Sequence, residues 1–206
     1  MGLNTSSQLR EFCLELASEQ PSPGGGTASA AAGAMAASLL MMVCGITARS
    51  RKHESAKPFL NQHKEALSRL RENLVRLAKE DAAAYDSVVE SMRARKVSPG
   101  PQADESVQNA LRRAAEVPMN TASGCLTVLE AAVGVAELGT RSASSDVGVA
   151  VLRAEAGFKG AAMNVRINLK DLSDMAFARS AEAKLKDQEK KAADSASKAF
   201  SLLRKT

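Results

Sequence analysis

The amino-acid sequence predicts an all-α protein, a single-domain bundle of about six helices over residues 1–206, with a long third helix and a kinked fourth helix. Aromatic residues are only 3% of the chain and Trp is absent, whereas the strands of a β-sandwich need more β-branched and aromatic side chains. Apolar residues recur at helical spacing, and no strand-like alternation continues beyond four residues. These observations favour closely packed helices.

The first two helices are separated by a proline- and glycine-rich loop. Ser6 or Ser7 can cap the first helix. One face of this helix carries Leu9, Phe12, Cys13 and Leu16. The second helix is predicted from about Thr27 to Ser50, and its many small residues would let neighbouring helices approach closely.

The third helix is predicted from about Ser55 to Arg95 because of a seven-residue repeat, typical of antiparallel bundles and coiled coils. One series of the repeat is Leu60, Leu67, Leu74, Asp81 and Val88, and the companion series is His63, Leu70, Leu77 and Ala84. The segment KVSPGPQA (96–103) ends this helix, since prolines and a glycine interrupt the pattern.

Three more helices complete the bundle. The fourth begins at Asp104 or Ser106 and ends at Gly139, and Pro118 inside it removes a backbone hydrogen bond and predicts a kink. Capped by Ser144 or Ser145, the fifth runs to about Leu169, and the sixth runs from Ser173 to the C-terminus.

Composition limits the classes of function. Cys13, Cys44 and Cys125 are odd in number and lie among apolar helical neighbours, which predicts buried thiols in a reducing, cytoplasmic compartment. With His53 and His63 as the only histidines, a histidine-rich metal site is not expected, and we predict no metal. No secretory signal is visible.

The net charge of +5 does not by itself indicate a nucleic-acid partner. Basic residues are interleaved with acidic ones and lack stacking aromatics, so we predict no nucleic-acid binding, and an anionic small ligand explains the charge equally well. Residues 20–48 carry no charge, but 24–38 are nearly all Gly, Ala, Ser and Thr. Because such residues partition weakly into lipid, this run predicts a central helix and no membrane span.

The segment PSPGGGTASA (21–30) is the most informative loop. Its glycines leave bare backbone N–H groups at the start of a helix, where orphan amides and the helix dipole favour an oxygen or an anion. A ligand cradle is one interpretation, and a tight helix-entry loop is the other. It is not a P-loop, since no Gly-Lys-Ser/Thr follows.

Asp81 interrupts a seam otherwise held by leucines. A carboxylate there costs stability unless it is paired or hydrated, and burial among Leu74, Leu77 and Val88 would raise its pKa, which suits a general acid or base. A register-setting polar residue, or a buried pair with an arginine, explains the position equally well from the pattern alone.

Further polar residues could contact a ligand. Asp146 lies in the first turn of its helix, where the dipole alone would favour a carboxylate. Asn164 and Asn168 project from one helix face, and their amides require either a ligand or neighbouring backbone as partners, while Arg166 points elsewhere.

A basic cluster ends the second helix. Arg49, Arg51 and Lys52 either complement the helix C-terminus or attract an anionic ligand tail such as a polyglutamate.

Four blocks of this sequence resemble the cyclodeaminase/cyclohydrolase family, the second half of formiminotransferase-cyclodeaminase, which also occurs as a stand-alone enzyme. They are PSPGGGTASA (21–30), LAKEDAAAYDSVVESMR (77–93), AAEVPMNTA (114–122) and SDVGVAVLRAEAGFKGAAMNVRINL (145–169). In that family an aspartate in a D-A-x-A-aromatic block is taken as the catalytic acid, and Asp81 and Tyr85 match that block.

The resemblance implies a folate enzyme with no cofactor beyond tetrahydrofolate as substrate carrier. It assigns Asp81 as the acid/base group. It further implies substrate-binding roles for Pro23, Gly24, Gly25, Gly26, Thr27, Asp146, Asn164 and Asn168, the last three as contacts to the pterin.

Two folate reactions are open. We expect hydrolysis of methenyltetrahydrofolate to formyltetrahydrofolate, since the chain ends at Thr206 without a formiminotransferase half to supply the other substrate. The alternatives are formiminotetrahydrofolate cyclodeaminase and a non-enzymatic helical interaction protein. A homodimer or larger assembly is also expected, because a helix of about 40 residues extends about 60 Å, beyond a compact globule of this size.

Overall fold

A computed structural model describes residues 5–205, and six α-helices with no β-strand make up this part of the chain. The all-α prediction is therefore confirmed. Residues 1–4 and 206 of the expected domain lie outside the described residues. The helices are α1 (Thr5–Leu16), α2 (Gly25–Ala48), α3 (Lys57–Val97), α4 (Pro101–Leu138), α5 (Ser144–Leu169) and α6 (Met175–Leu203). Short 3₁₀ helices cover Arg51–Ala56 and Arg141–Ala143.

Small residues bring α2, α4 and α5 into close contact at the centre of the bundle. A Cβ atom added to Gly33 would lie 2.6 Å from the Sγ atom of Cys125, and one added to Gly157 would lie 2.7 Å from the carbonyl oxygen of Ser29. Such distances are too short for any side chain, so glycine at these two positions permits the observed packing.

The seven-residue repeat of α3 faces the core as predicted. Its buried members are Leu60, Leu67, Leu74, Leu77 and Ala84. Gly33 of α2 lies against Leu74 of α3, and Gly45 further along α2 lies against Lys64, which comes earlier in α3. The two helices are therefore antiparallel. With 41 residues, α3 is about 60 Å long.

The fourth helix runs unbroken through Pro118 to Leu138 and begins at Pro101, earlier than expected. A proline in the first turn suits a helix start because its missing N–H would have no helical partner there. The sixth helix begins at Met175 and is capped by Asp174, which accepts a hydrogen bond of 2.9 Å from the backbone N–H of Phe177.

The first helix makes little contact with the others. Leu9 and Leu14 are more than half exposed, and Cys13 is exposed, so the expectation of a buried thiol is wrong for this cysteine. Cys44 and Cys125 are buried as predicted. Cys13 is exposed because α1, which carries it, packs little against the other helices.

Helices α2 and α4 are each long and apolar enough to cross a membrane by length and composition. About half of the most apolar window in each helix is buried inside the bundle. The open face of α2 exposes Met35, Met42 and Ile46, and α5 exposes Met163. These apolar faces are compatible with a homodimer, and both the dimer and the absence of a membrane span stay predictions.

Candidate active site

A cavity of about 370 Å³ lies where the start of α2 meets α3, α4 and α5. Its wall brings together six of the nine residues predicted as site residues, which are Gly24, Gly25, Gly26, Asp81, Asn164 and Asn168. Its apolar wall is formed mainly by Tyr85, Val88, Met92, Leu111 and Ile167. An apolar cavity with a few convergent polar groups is typical of a small-molecule site.

The carboxylate of Asp81 lies against the first turn of α2. The hydroxyl of Thr27 donates a hydrogen bond of 3.0 Å to its Oδ2 atom. A Cβ atom on Gly26 would lie 2.6 Å from Oδ2 and closer still to Oδ1, so only glycine leaves room for this carboxylate. Gly24 is the N-cap of α2 and supplies no side-chain hydrogen bond to the helix. The Asp81 carboxylate lies at this first turn, where the helix dipole favours a negative charge.

Asp81 is half-buried, not buried as the seam pattern predicted. The reason is that α2 begins level with Asp81, so no helical turn covers the carboxylate on the side of the cavity. Partial burial still raises the pKa of Asp81 above its usual range, while hydrogen bonds from the Thr27 side chain and backbone oppose that rise. Desolvation of this kind is one way in which a carboxyl group becomes suited to general acid or base chemistry.

Both asparagine side chains donate to backbone. The Nδ2 atom of Asn164 donates to the carbonyl of Gly160 at 2.9 Å, and that of Asn168 donates to the carbonyl of Ala114 at 2.6 Å. Backbone partners, one of the two alternatives from the sequence, therefore account for the amide nitrogens. The carbonyl oxygens of the two side chains are left to accept hydrogen bonds from a ligand. Arg166 points away from the cavity, as predicted, and forms ion pairs with Glu182 and Glu189 on α6.

The other predicted residues lie outside the cavity wall. Pro23 adjoins it, and Thr27 contributes through its hydrogen bond to Asp81. Asp146 stands in the first turn of α5, eighteen residues before Asn164 and so about 27 Å away along the helix. The structure thus does not bring Asp146 to this cavity.

The basic cluster is also remote. Arg49 caps the C-terminus of α2, and Arg51 and Lys52 follow in the first 3₁₀ helix. Because α2 separates them from Gly25 by 24 residues, the distance is about 36 Å. Within one chain these cations do not flank the cavity, so the geometry favours the helix C-terminus as their partner and not a ligand tail.

Sequence reasoning missed parts of the apolar wall. Ile167 lies between the two asparagines on α5 and is 55% exposed. An apolar residue next to two amides on an open helix face could have indicated a ligand contact in the sequence. Met92 and Leu111 come from two helices that only the tertiary fold brings together. Asp171 adds a second carboxylate at the wall, and it follows the end of α5 with no spacing signal.

A larger cavity of about 630 Å³ lies between α3 and α4 and contains none of the predicted site residues. Its closest residue to Asp81 along α3 is Leu70, about 16 Å away by helix rise. The smaller cavity is the candidate site because six of the nine predicted site residues, the Asp81 carboxylate among them, line its wall.

The buried thiols are unsuited to nucleophilic chemistry. Burial raises the pKa of Cys44 to about 11 and that of Cys125 to about 12, so both stay protonated near neutral pH. Among residues 5–205 no group of three or more His, Cys, Asp or Glu side chains is placed to hold a metal ion.

Comparison with known proteins places the chain. It is 39% identical to methenyltetrahydrofolate cyclohydrolase of Methylorubrum extorquens over 183 residues, which cover 88% of this chain and 86% of that protein. It is 32% identical to formimidoyltransferase-cyclodeaminase of Sus scrofa over 82% of this chain, but it spans only 32% of that longer protein.

A solved structure and a family profile agree with these relatives. The crystal structure of formiminotetrahydrofolate cyclodeaminase from Thermotoga maritima superposes with a TM-score of 0.88 at 31% identity and covers 95% of each chain. The profile described as formiminotransferase-cyclodeaminase matches residues 8–187. With this match over most of its length, the chain belongs to the formiminotransferase-cyclodeaminase family.

Proposed function

We propose that this chain hydrolyses methenyltetrahydrofolate to formyltetrahydrofolate, with the half-buried Asp81 as the acid/base group. The observation that carries the proposal is the position of Asp81: its carboxylate has a raised pKa, is held by Thr27 and Gly26, and opens on an apolar cavity. Formiminotetrahydrofolate cyclodeaminase activity is the second candidate, because a solved structure of similar fold carries that name.

Membership of the family makes the chain a folate one-carbon enzyme, a methenyltetrahydrofolate cyclohydrolase or a formimidoyltetrahydrofolate cyclodeaminase. Its relatives are named as enzymes, which leaves the alternative of a non-enzymatic interaction protein without support. Hydrolysis is favoured because the cyclohydrolase relative is 39% identical, against 30% and 32% for two formimidoyltransferase-cyclodeaminases.

The site could perform hydrolysis with one carboxylate. A water molecule attacks the methenyl carbon while Asp81 accepts its proton, and the product is a tetrahedral carbon that bridges two folate nitrogens. Asp81 then returns the proton to one nitrogen as its bond to that carbon breaks. The hydroxyl on the carbon loses its proton to solvent as the C=O bond forms, which leaves a formyl group on the other nitrogen. Both steps are proton transfers, for which a carboxylate of raised pKa is suited.

The cavity also suits the ring system of a folate. A volume of about 370 Å³ is at the lower end of ligand sites and fits a bicyclic heterocycle better than an entire folate. Tyr85, Val88 and Ile167 offer apolar surface to the ring, while the side-chain oxygens of Asn164 and Asn168 can accept from its N–H groups.

The test compares both substrates at equal concentration. We predict that the absorbance of methenyltetrahydrofolate is lost at least as fast as ammonia is released from formiminotetrahydrofolate. Blanks without enzyme correct for spontaneous hydrolysis. Rapid ammonia release with negligible loss of the methenyl absorbance would make the chain a cyclodeaminase, and no turnover of either substrate would refute the proposed function.

A second prediction concerns pH. Desolvation raises the pKa of Asp81 and the hydrogen bonds from Thr27 lower it, so Thr27→Val should raise this pKa further. The pH below which kcat/KM falls, its acid limb, should then move to higher pH. Thr27→Ser keeps the hydroxyl and should leave the limb in place. An unshifted limb in the valine variant would contradict the assignment of this titration to Asp81.

A further inference from the structure

Pro118 leaves one carbonyl of α4 without its helical partner. In an α-helix the N–H of residue i donates to the carbonyl of residue i−4, and proline has no N–H. The carbonyl of Ala114 therefore receives no bond from residue 118, although α4 continues on both sides. Pro118 is buried, and Ala114 lines the active-site cavity.

The amide of Asn168 occupies the place of the missing donor. Its Nδ2 atom reaches from α5 to the carbonyl of Ala114 at a distance of 2.6 Å. Because an amide side chain carries its donor and its acceptor on opposite branches, this bond fixes which way the group faces. No described residue donates to the Oδ1 atom of Asn168, and this residue also lines the cavity.

We propose that Pro118 is a positioning residue, which frees the Ala114 carbonyl so that Asn168 is held with its Oδ1 atom as an acceptor for an N–H group of the bound heterocycle. This inference rests on the proposed function for the identity of the ligand. Asn164 is held in a similar way by the carbonyl of Gly160, so two acceptors lie one helical turn apart. Two acceptors favour a ring edge that carries adjacent N–H donors, as the amino-substituted pyrimidine half of a pterin does.

The experiment restores the missing donor with Pro118→Ala. The new N–H at position 118 competes with Asn168 for the Ala114 carbonyl and releases the side chain to rotate. The KM for methenyltetrahydrofolate should rise about threefold to tenfold, the range of one hydrogen bond, while kcat changes much less. Thermal stability should be unchanged or higher, because proline is costly inside a helix. Val117→Ala, a neighbouring buried truncation outside the cavity, should lower stability without changing KM.

A double-mutant cycle decides between positioning and general packing. Asn168→Ala removes the acceptor, so adding Pro118→Ala to it should raise KM no further. An equal rise in KM in both backgrounds, or a Pro118→Ala variant with unchanged KM, would overturn the proposal.

A readout without turnover separates this inference from the proposed function. The side-chain amide resonances of Asn168, assigned by their loss in Asn168→Ala, should show slow hydrogen exchange in the wild type and faster exchange in Pro118→Ala. Unchanged exchange overturns the positioning role even if the enzyme is active. Failure to turn over either folate, with the expected change in exchange, refutes only the proposed function.

Discussion

Replacement of Asp81 by asparagine is expected to reduce turnover of methenyltetrahydrofolate by at least about a hundredfold, the lower end of what general acid–base catalysis contributes. The amide nearly matches the carboxylate in shape and can still accept from Thr27, but it cannot take up and return a proton. The measurement is kcat under saturating substrate, with helicity and assembly checked on the same preparation.

Stability provides an independent check on the same variant. The pKa of Asp81 is raised in the folded state, so the native protein binds more protons than the unfolded chain once the pH exceeds the unfolded value. Ionised Asp81 therefore lowers the free energy of unfolding at neutral pH, and Asp81→Asn should not be less stable there. Asp86→Asn, an exposed change on the same helix, is the matched control and should retain activity. More than a tenth of wild-type activity in Asp81→Asn would exclude an essential proton-transfer role.

The long elements of this fold follow from local signals. The seven-residue repeat of α3 and the prolines and glycine of residues 96–103 predict a helix that the structure contains nearly as expected. Both signals are local, because a regular apolar stripe and the loss of backbone donors act over a few residues. Helix starts are less predictable. At Pro101 a helix begins where the sequence suggested a later cap, since proline tolerates either a loop or a first turn.

The site was partly predictable for a different reason. Asp81 was visible as a charge in an apolar seam, and the glycines were visible as bare backbone, but nothing in the spacing showed that the two would meet. Their contact depends on the antiparallel packing of α2 and α3. Asp146 was predicted as a site residue but lies far from the cavity. Its favourable position at a helix start does not indicate which end of the bundle holds the ligand.

The pairing of Asn168 with Ala114 was beyond sequence reasoning. Pro118 predicted a lost hydrogen bond, and Asn168 predicted an amide in need of a partner, yet 54 positions separate the donor from the acceptor. Only the packing of α4 on α5 joins the two signals. The exposure of Cys13 was unpredictable for a similar reason. The sequence of an amphipathic helix shows that one face is apolar, but it does not show whether another helix covers that face.

Replacement of Gly26 by alanine is expected to reduce turnover at least about tenfold, although alanine is intrinsically the better helix former. The new methyl group would overlap the Asp81 carboxylate, whose Cγ atom would lie 2.5 Å from the added Cβ. Because α2 is held by the close contacts of Gly33 and Ser29 with its neighbours, the carboxylate must move instead, and it then loses its hydrogen bond to Thr27.

The matched control is Gly45→Ala on the same helix, where the added atom would approach only the flexible end of Lys64 at 3.6 Å. Gly45→Ala also replaces glycine by alanine within α2, so the free energy of unfolding should rise by about 0.5–1 kcal/mol. Because position 45 is far from Asp81, this variant should keep full activity. The assay compares kcat and the acid limb of the pH profile in both variants. If Gly26→Ala turned over substrate as fast as Gly45→Ala, the Asp81 carboxylate would not need its contact with the first turn of α2 for catalysis. The glycines of this loop would then serve helix packing alone, and the catalytic role of the contact between Asp81 and α2 would have to be abandoned.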